Sequence, residues 1–216
     1  MGELLELRGE RAEALRELRA ARDEFARLNA RKLLAQAELD IAEIDMAESR
    51  LDDARRALKE RVLPAFDALG DLHGRATALK QLARIDEHEG RREEALKLLL
   101  EEVIPTFERI NDHHCAAMAR RTAAETFEHL GEPERAIALL EADVLPVNDR
   151  HGAELTRADN LLYLARLHGD RGAVTEALRL LREEVIPAAE RLDARDHVVK
   201  AHTLVEKLRA RQRALH

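Results

Sequence analysis

Ala95-Leu96-Lys97-Leu98-Leu99-Leu100-Glu101-Glu102-Val103-Ile104-Pro105 decides the fold, because its end is written four times in the chain. Val62-Leu63-Pro64, Val103-Ile104-Pro105, Val144-Leu145-Pro146 and Val185-Ile186-Pro187 stand 41 residues apart. Glycines 90, 131 and 172 and alanines 54, 95, 136 and 177 keep the same interval. A fixed period of this length marks stacked supersecondary units that share a continuous core.

Outward from that stretch, Ala95, Leu96, Leu99, Val103, Phe107 and Ile110 keep helical spacing and stay in phase across Pro105. Leu63, Ile104, Leu145 and Ile186, directly before the prolines, lack the side-chain acceptor of an N-cap. The pattern therefore predicts one helix kinked at proline, where an uncompensated proline costs ~3 kcal/mol. Ahead of it, Ala76, Leu79, Leu82, Ala83 and Ile85 mark a first helix of about 17 residues that ends at Glu89-Gly90. Short links such as Gly70-Asp71, Asn111-Asp112 and Gly152 force neighbouring helices antiparallel. Alanines 83, 124 and 165, with 95, 136 and 177, let paired axes approach; Leu82, Leu99, Leu140, Leu164 and Leu181 fill the space between hairpins.

The order Leu79, Leu82-Ala83, Gly90, Ala95, Leu99 resembles the tetratricopeptide repeat. So do Ala123-Ala124, Gly131, Ala136, Leu140 and Leu164-Ala165, Gly172, Ala177, Leu181, with a weaker copy in Ile41-Ala42, Ser49, Ala54, Leu58. The usual period is 34; the extra length falls around the proline segment, as in the longer variants of bacterial regulators and kinesin-light-chain-type arrays. The family's aromatics are nearly absent, with Phe127 and Tyr163 near such places. HEAT repeats, of similar length, are the alternative. The resemblance implies an all-α, right-handed solenoid of antiparallel helix pairs.

Counting in frame places a partial N-terminal repeat at 1–29, repeats at 30–71, 72–112, 113–152 and 153–193, and a closing helix at 194–216. Lys200, His202, Glu206, Lys207 and Arg209 suit that helix as a polar cap. The N-terminal Leu4-Leu5-Glu6-Leu7 looks unfinished and is expected to abut another domain or a second copy.

The chain has 216 residues, a net charge of −7 and 37% charged side chains, which argues against a dedicated nucleic-acid binder. No apolar run reaches the roughly 18 residues of a membrane span. A lone cysteine, Cys115, suits a reducing, cytoplasmic setting. Arginines outnumber lysines, which reads as the trace of a GC-rich bacterial genome. Asp112-His113-His114-Cys115 matches the signature of protein palmitoyltransferases by chance, since their zinc domain and membrane spans have no counterpart. The histidines lack zinc-ligand spacing, Ser49 has no triad, and no phosphate-binding glycine loop occurs. Paired acids such as Glu93-Glu94, Glu101-Glu102 and Glu183-Glu184 read as solvated faces. Neither enzyme activity, nor a cofactor, nor a metal is expected.

In the resembled family the inner face of the first helices lines a groove. Carried onto this sequence, the face holds Leu39 and Glu43, Lys80 and Arg84, Arg121 and Glu125, Leu162 and Arg166, Thr203 and Lys207. Five of these are basic, Lys80, Arg84, Arg121, Arg166 and Lys207, and are expected to hold an acidic protein segment or a terminal carboxylate. Glu87, Glu128, Asp159 and Asp170 are placed to balance them. The leading function is a non-catalytic interaction scaffold or sensor module of a larger bacterial assembly. A homo-oligomerisation element is the alternative, and a helical-repeat RNA binder is a third.

Overall fold

A computed structural model describes the backbone of residues 2–214 and the side chains of residues 11–213. The chain divides into two compact segments, residues 1–112 and residues 113–216. Among the described residues every regular element is helical.

The first segment opens with α1, Gly2–Arg27. A hairpin follows, made of α2 (Arg31–Ala47) and a second helix built from α3 (Leu51–Ala57), a π turn (Leu58–Val62) and α4 (Leu63–Leu69). The next hairpin pairs α5 (Leu72–His88) with α6 (Arg92–Leu98), a π turn (Leu99–Val103) and α7 (Ile104–Arg109). The second segment repeats the plan. Its helices are α8 (His113–His129), α9 (Pro133–Leu139), a π turn (Leu140–Val144), α10 (Leu145–His151), α11 (Glu154–Asp170), α12 (Val174–Leu180), a π turn (Leu181–Val185), α13 (Ile186–Arg191) and α14 (Arg195–Ala214).

Every turn closes the same way. A left-handed residue stands at Asn29, Ser49, Gly70, Gly90, Asn111, Gly131, Gly152, Gly172 and Asp193. The residue after it donates its N–H to the carbonyl five positions back, as Arg91 does to Asp86 at 2.8 Å and Asp71 to Phe66 at 3.0 Å. Ser49 and Asn111 adopt the conformation glycine supplies elsewhere, at some steric cost. Asp71 adds a side-chain cap by accepting from the Gly74 N–H at 2.9 Å. That bond, ahead of the one from Lys32, holds its carboxyl below the ordinary carboxylate range.

The prolines lie inside continuous helices, as the phase of the apolar positions predicts. What the sequence did not disclose is how the helix tolerates them. Each of the four repeated prolines follows a five-residue π turn, and the N–H of Leu63 reaches back to the Leu58 carbonyl, five residues away. A π turn widens the spiral, so the ring avoids the carbonyl it would strike in an α-helix. Each wide turn starts on a fully buried leucine (58, 99, 140, 181) and ends on a buried valine (62, 103, 144, 185), so the irregular backbone is packed into the core.

The alanine seams are as close as expected: Ala54, Ala83, Ala95, Ala124, Ala136, Ala165 and Ala177 are fully buried. In the first segment the ring of Phe66 lies where a Cβ on Gly74 would stand 2.4 Å from Cε1, so only glycine fits beneath it. In the second, Gly169 lies under Leu208 of α14, where a Cβ would meet only the Cδ2 methyl of that side chain closely, at 2.5 Å.

At the ends of the repeat series, core positions turn polar. Glu13 and Glu17 of α1 occupy the register of buried Ala54 and Leu58, and both are exposed. Glu206 of α14 stands where Ala42, Ala83, Ala124 and Ala165 are fully buried, and it too is exposed. The side chains of Leu4, Leu5, Glu6 and Leu7, on which the expectation of an abutting N-terminal face rests, lie outside the described residues.

Candidate functional site

A repeat makes departures from itself visible. In the second helices the register of Phe25, Phe66, Phe107 and Ala189 is taken by Asn148. In the first helices the register of Ala37, Ala78, Ala119 and Ala201 is taken by Asn160. Both asparagines are buried, at 3% and 4% exposure. They are bonded to each other, Asn160 Nδ2 donating to Asn148 Oδ1 at 2.8 Å. A buried amide needs such a partner to offset its desolvation.

The second amide acceptor is spoken for from the surface side. Arg121 Nη1 of α8 donates to Asn160 Oδ1 at 2.5 Å. Its Nε donates to Glu125 Oε1 at 3.1 Å, and Nη1 stands 3.5 Å from Asp159 Oδ2. The Arg121 guanidinium lies 4.0 Å from the ring centroid of Tyr163 on α11, and that of Arg166 lies 5.0 Å from it. Each contact adds a cation–π attraction. The Tyr163 hydroxyl donates to Glu128 Oε2 at 2.9 Å. Arg166 clamps the same carboxylate through both terminal nitrogens, at 2.7 Å each, and reaches Asp170 at 3.2 Å.

The electrostatics follow from these bonds. The Arg166 fork, helped by the Tyr163 hydroxyl and opposed by burial, holds the Glu128 carboxyl below its ordinary range. Burial and the hydrogen bond to Glu128 push the Tyr163 phenol well up, so the ring stays neutral. Glu128 in turn raises the Arg166 guanidinium against the effect of burial. The result is a fixed polar platform.

The five cations read from the sequence fare differently. Arg121 and Arg166 are drawn into this platform and neutralised by Glu125, Asp159, Glu128 and Asp170. Arg84, exposed on α5, donates to Gln81 Oε1 at 3.1 Å, and Gln81 in turn donates to Glu43 of α2. Lys80 is half-buried on α5. Lys207 alone of the five is exposed without a hydrogen bond or ion pair among the described residues. The row is therefore not a free basic stripe: two of its members have internal carboxylate partners one turn away or on the adjoining helix. Leu39, placed on the same face by the resemblance, is buried at 2% and belongs to the core; Leu162 is half-buried and Thr203 exposed. The sequence names Arg121 and Arg166, with Glu128, Asp159 and Asp170 to balance them, but not Asn148 and Asn160 as an anchor for Arg121. The signal was present, as two polar residues in otherwise apolar columns of the repeat.

No family model matches the chain, and no curated protein matches it significantly. Solved structures do. The Rap protein complexed with Competence and Sporulation Factor superposes with a TM-score of 0.79 at 11% identity, over 96% of this chain and 60% of that one. The fold is that of the tetratricopeptide-repeat solenoids. A signal-transduction ATPase with a tetratricopeptide repeat sensor from Pyrococcus horikoshii gives 0.70 at 15% identity, over 81% of this chain and 27% of that one. A putative kinesin light chain of nearly identical TPR-like repeats from Podosopora anserina gives 0.59 at 20% identity, over 82% and 95%. This chain thus spans about a quarter of the Pyrococcus protein and 60% of Rap. It is an all-α solenoid of tetratricopeptide-like hairpins in which no described helix is long and apolar enough to cross a membrane.

Proposed function

We propose that this chain is a non-catalytic interaction or sensor module that holds a segment of a protein partner on the first-helix face of residues 113–216, within a larger bacterial, cytoplasmic assembly. One observation carries the reading. Asn148 and Asn160 put a bonded polar pair where the first segment buries Phe66 and Ala78, and the pair's second acceptor is aimed at Arg121 on that face. Packing alone has no use for such a pair, since an apolar filling of the same space is at least as stable. Its evident product is a guanidinium held in one place, and placed polar groups are what specific recognition requires. The solved neighbours are in keeping with this, one carrying a repeat sensor and another bound to Competence and Sporulation Factor.

The test is capture from the native source followed by titration of the captured partner against Tyr163→Ala. Loss of binding with an intact helical spectrum supports the reading. Undiminished binding removes it. A second reading, self-association, draws on the exposed leucines of the first segment, Leu28 at 66% and Leu33 at 53%. A dimer that resists dilution in light scattering would favour it.

A further inference from the structure

On that reading of the face, we infer that the segment it receives carries ordered charge: a cationic side chain over α8 and α11, and a carboxylate over α14. An acidic partner was expected from the row of basic residues, but the geometry reverses the sign over the first two helices. The platform there counts two guanidiniums, Arg121 and Arg166, against four carboxylates, Glu125, Glu128, Asp159 and Asp170. Both guanidiniums are turned onto the Tyr163 ring, and Arg121 is left only 21% exposed. Glu125, Asp159 and Asp170 remain 43%, 53% and 64% exposed. Outward, this part of the face offers those three carboxylates against one comparably exposed guanidinium, Arg166 at 42%, so its balance is negative.

On α14 the sign changes. Lys200 stands in the register of Asp159, and Lys207 in that of Arg166. Both are exposed and have no hydrogen bond or ion pair among the described residues. Arg211, in the register of Asp170, spends a donor on the Gly169 carbonyl at 3.0 Å and adds a third positive charge. His197 at the start of α14 lies 3.7 Å from Asp159, marking the boundary between the two zones. Packed helices lie roughly 8–10 Å apart, which extended chain crosses in about three residues. A segment with a lysine or arginine at one point and an acidic residue about three positions away matches this order, and electrostatic matching of that kind mainly sets specificity.

Two labelled octapeptides of equal composition and zero net charge test it by fluorescence anisotropy at low salt. One has its lysines at one end and its glutamates at the other; the second alternates them. The blocked peptide is expected to bind about tenfold more tightly. Lys200→Glu with Lys207→Glu should erase that preference, while Glu101→Gln with Glu102→Gln, in the other segment, should leave it. Equal affinity for the two peptides, a preference that survives in the lysine variant, or one lost in the glutamine control overturns the inference. A native partner released by Tyr163→Ala but indifferent to charge order would sink this inference and leave the interaction reading standing. A partner indifferent to Tyr163 would remove both.

Discussion

The same pair of registers is filled by Phe66 and Ala78 in the first segment and by Asn148 and Asn160 in the second. In the first, a fully buried ring lies on Gly74 and the position is solved by packing alone. In the second, two amides bond to each other and pass a constraint to a surface arginine. Both solutions sit just after a π turn and proline, on identical local backbone. The comparison teaches that in a repeat protein the repeated residues report the fold, and the exceptions report what one copy does that the others need not.

Breaking the packed solution should have the largest effect. Phe66→Ala removes a fully buried ring and leaves a cavity over Gly74, a loss of about 3–5 kcal/mol. Chemical denaturation should show it as a lower midpoint at unchanged slope. The polar solution is next. Asn160→Ala strands the Asn148 amide and one Arg121 donor, at about 1–3 kcal/mol. Converting it fully to the first segment's answer, Asn148→Phe with Asn160→Ala, should restore or exceed the parent's stability, because neither amide is left to be orphaned. The same double variant should lose the partner. If it is both less stable than Asn160→Ala and fully able to bind, the contrast drawn between the segments is wrong.

That contrast also measures how far the sequence could be read. Hairpin plan, turn positions and alanine seams were legible, since each is a local rule repeated: glycine where the chain must turn left-handed, alanine where axes meet. The π turns were not, because nothing in Leu-x-x-x-Val-Leu-Pro distinguishes an α turn broken by proline from a widened turn that accommodates it. How the basic row is bonded was less legible, for a different reason. Glu128 is readable as a counter-charge, but the two-pronged fork by which Arg166 grips it, from 38 residues away on the neighbouring helix, is not. Pairing across helices depends on side-chain reach, which a column of residue types does not contain.

The ion-paired platform should also give the second segment a titration that can be read at Glu128. Glu128 has its pKa lowered by Arg166, so its contribution is fully present above the unfolded value of 4.5 and is lost as pH falls through the folded value. The melting temperature of the parent should therefore fall more steeply below about pH 4.5 than that of Glu128→Gln, which starts lower and changes less. Parallel curves for the two proteins would show that the Arg166 fork contributes nothing measurable in solution.

The smallest effect is expected at the closing helix. Val199 of α14 is 64% exposed, in the register where Ala35, Ala76, Ala117 and Ala158 are buried beneath their own second helices. Glu206, two turns along, keeps that open face polar. Glu206→Ala with His202→Leu would extend Val199 into an apolar strip shaped to accept another helix, while the folded monomer changes by no more than about 0.5 kcal/mol, as for most surface substitutions. The expected outcome is association that grows with concentration in sedimentation or light scattering, with an unaltered helical spectrum. A variant that stays monomeric at high concentration would mean that the alanine at this register, and not the glutamate, is incidental to how one hairpin accepts the next; the seams would then owe their strength to the second helix and its buried leucine alone.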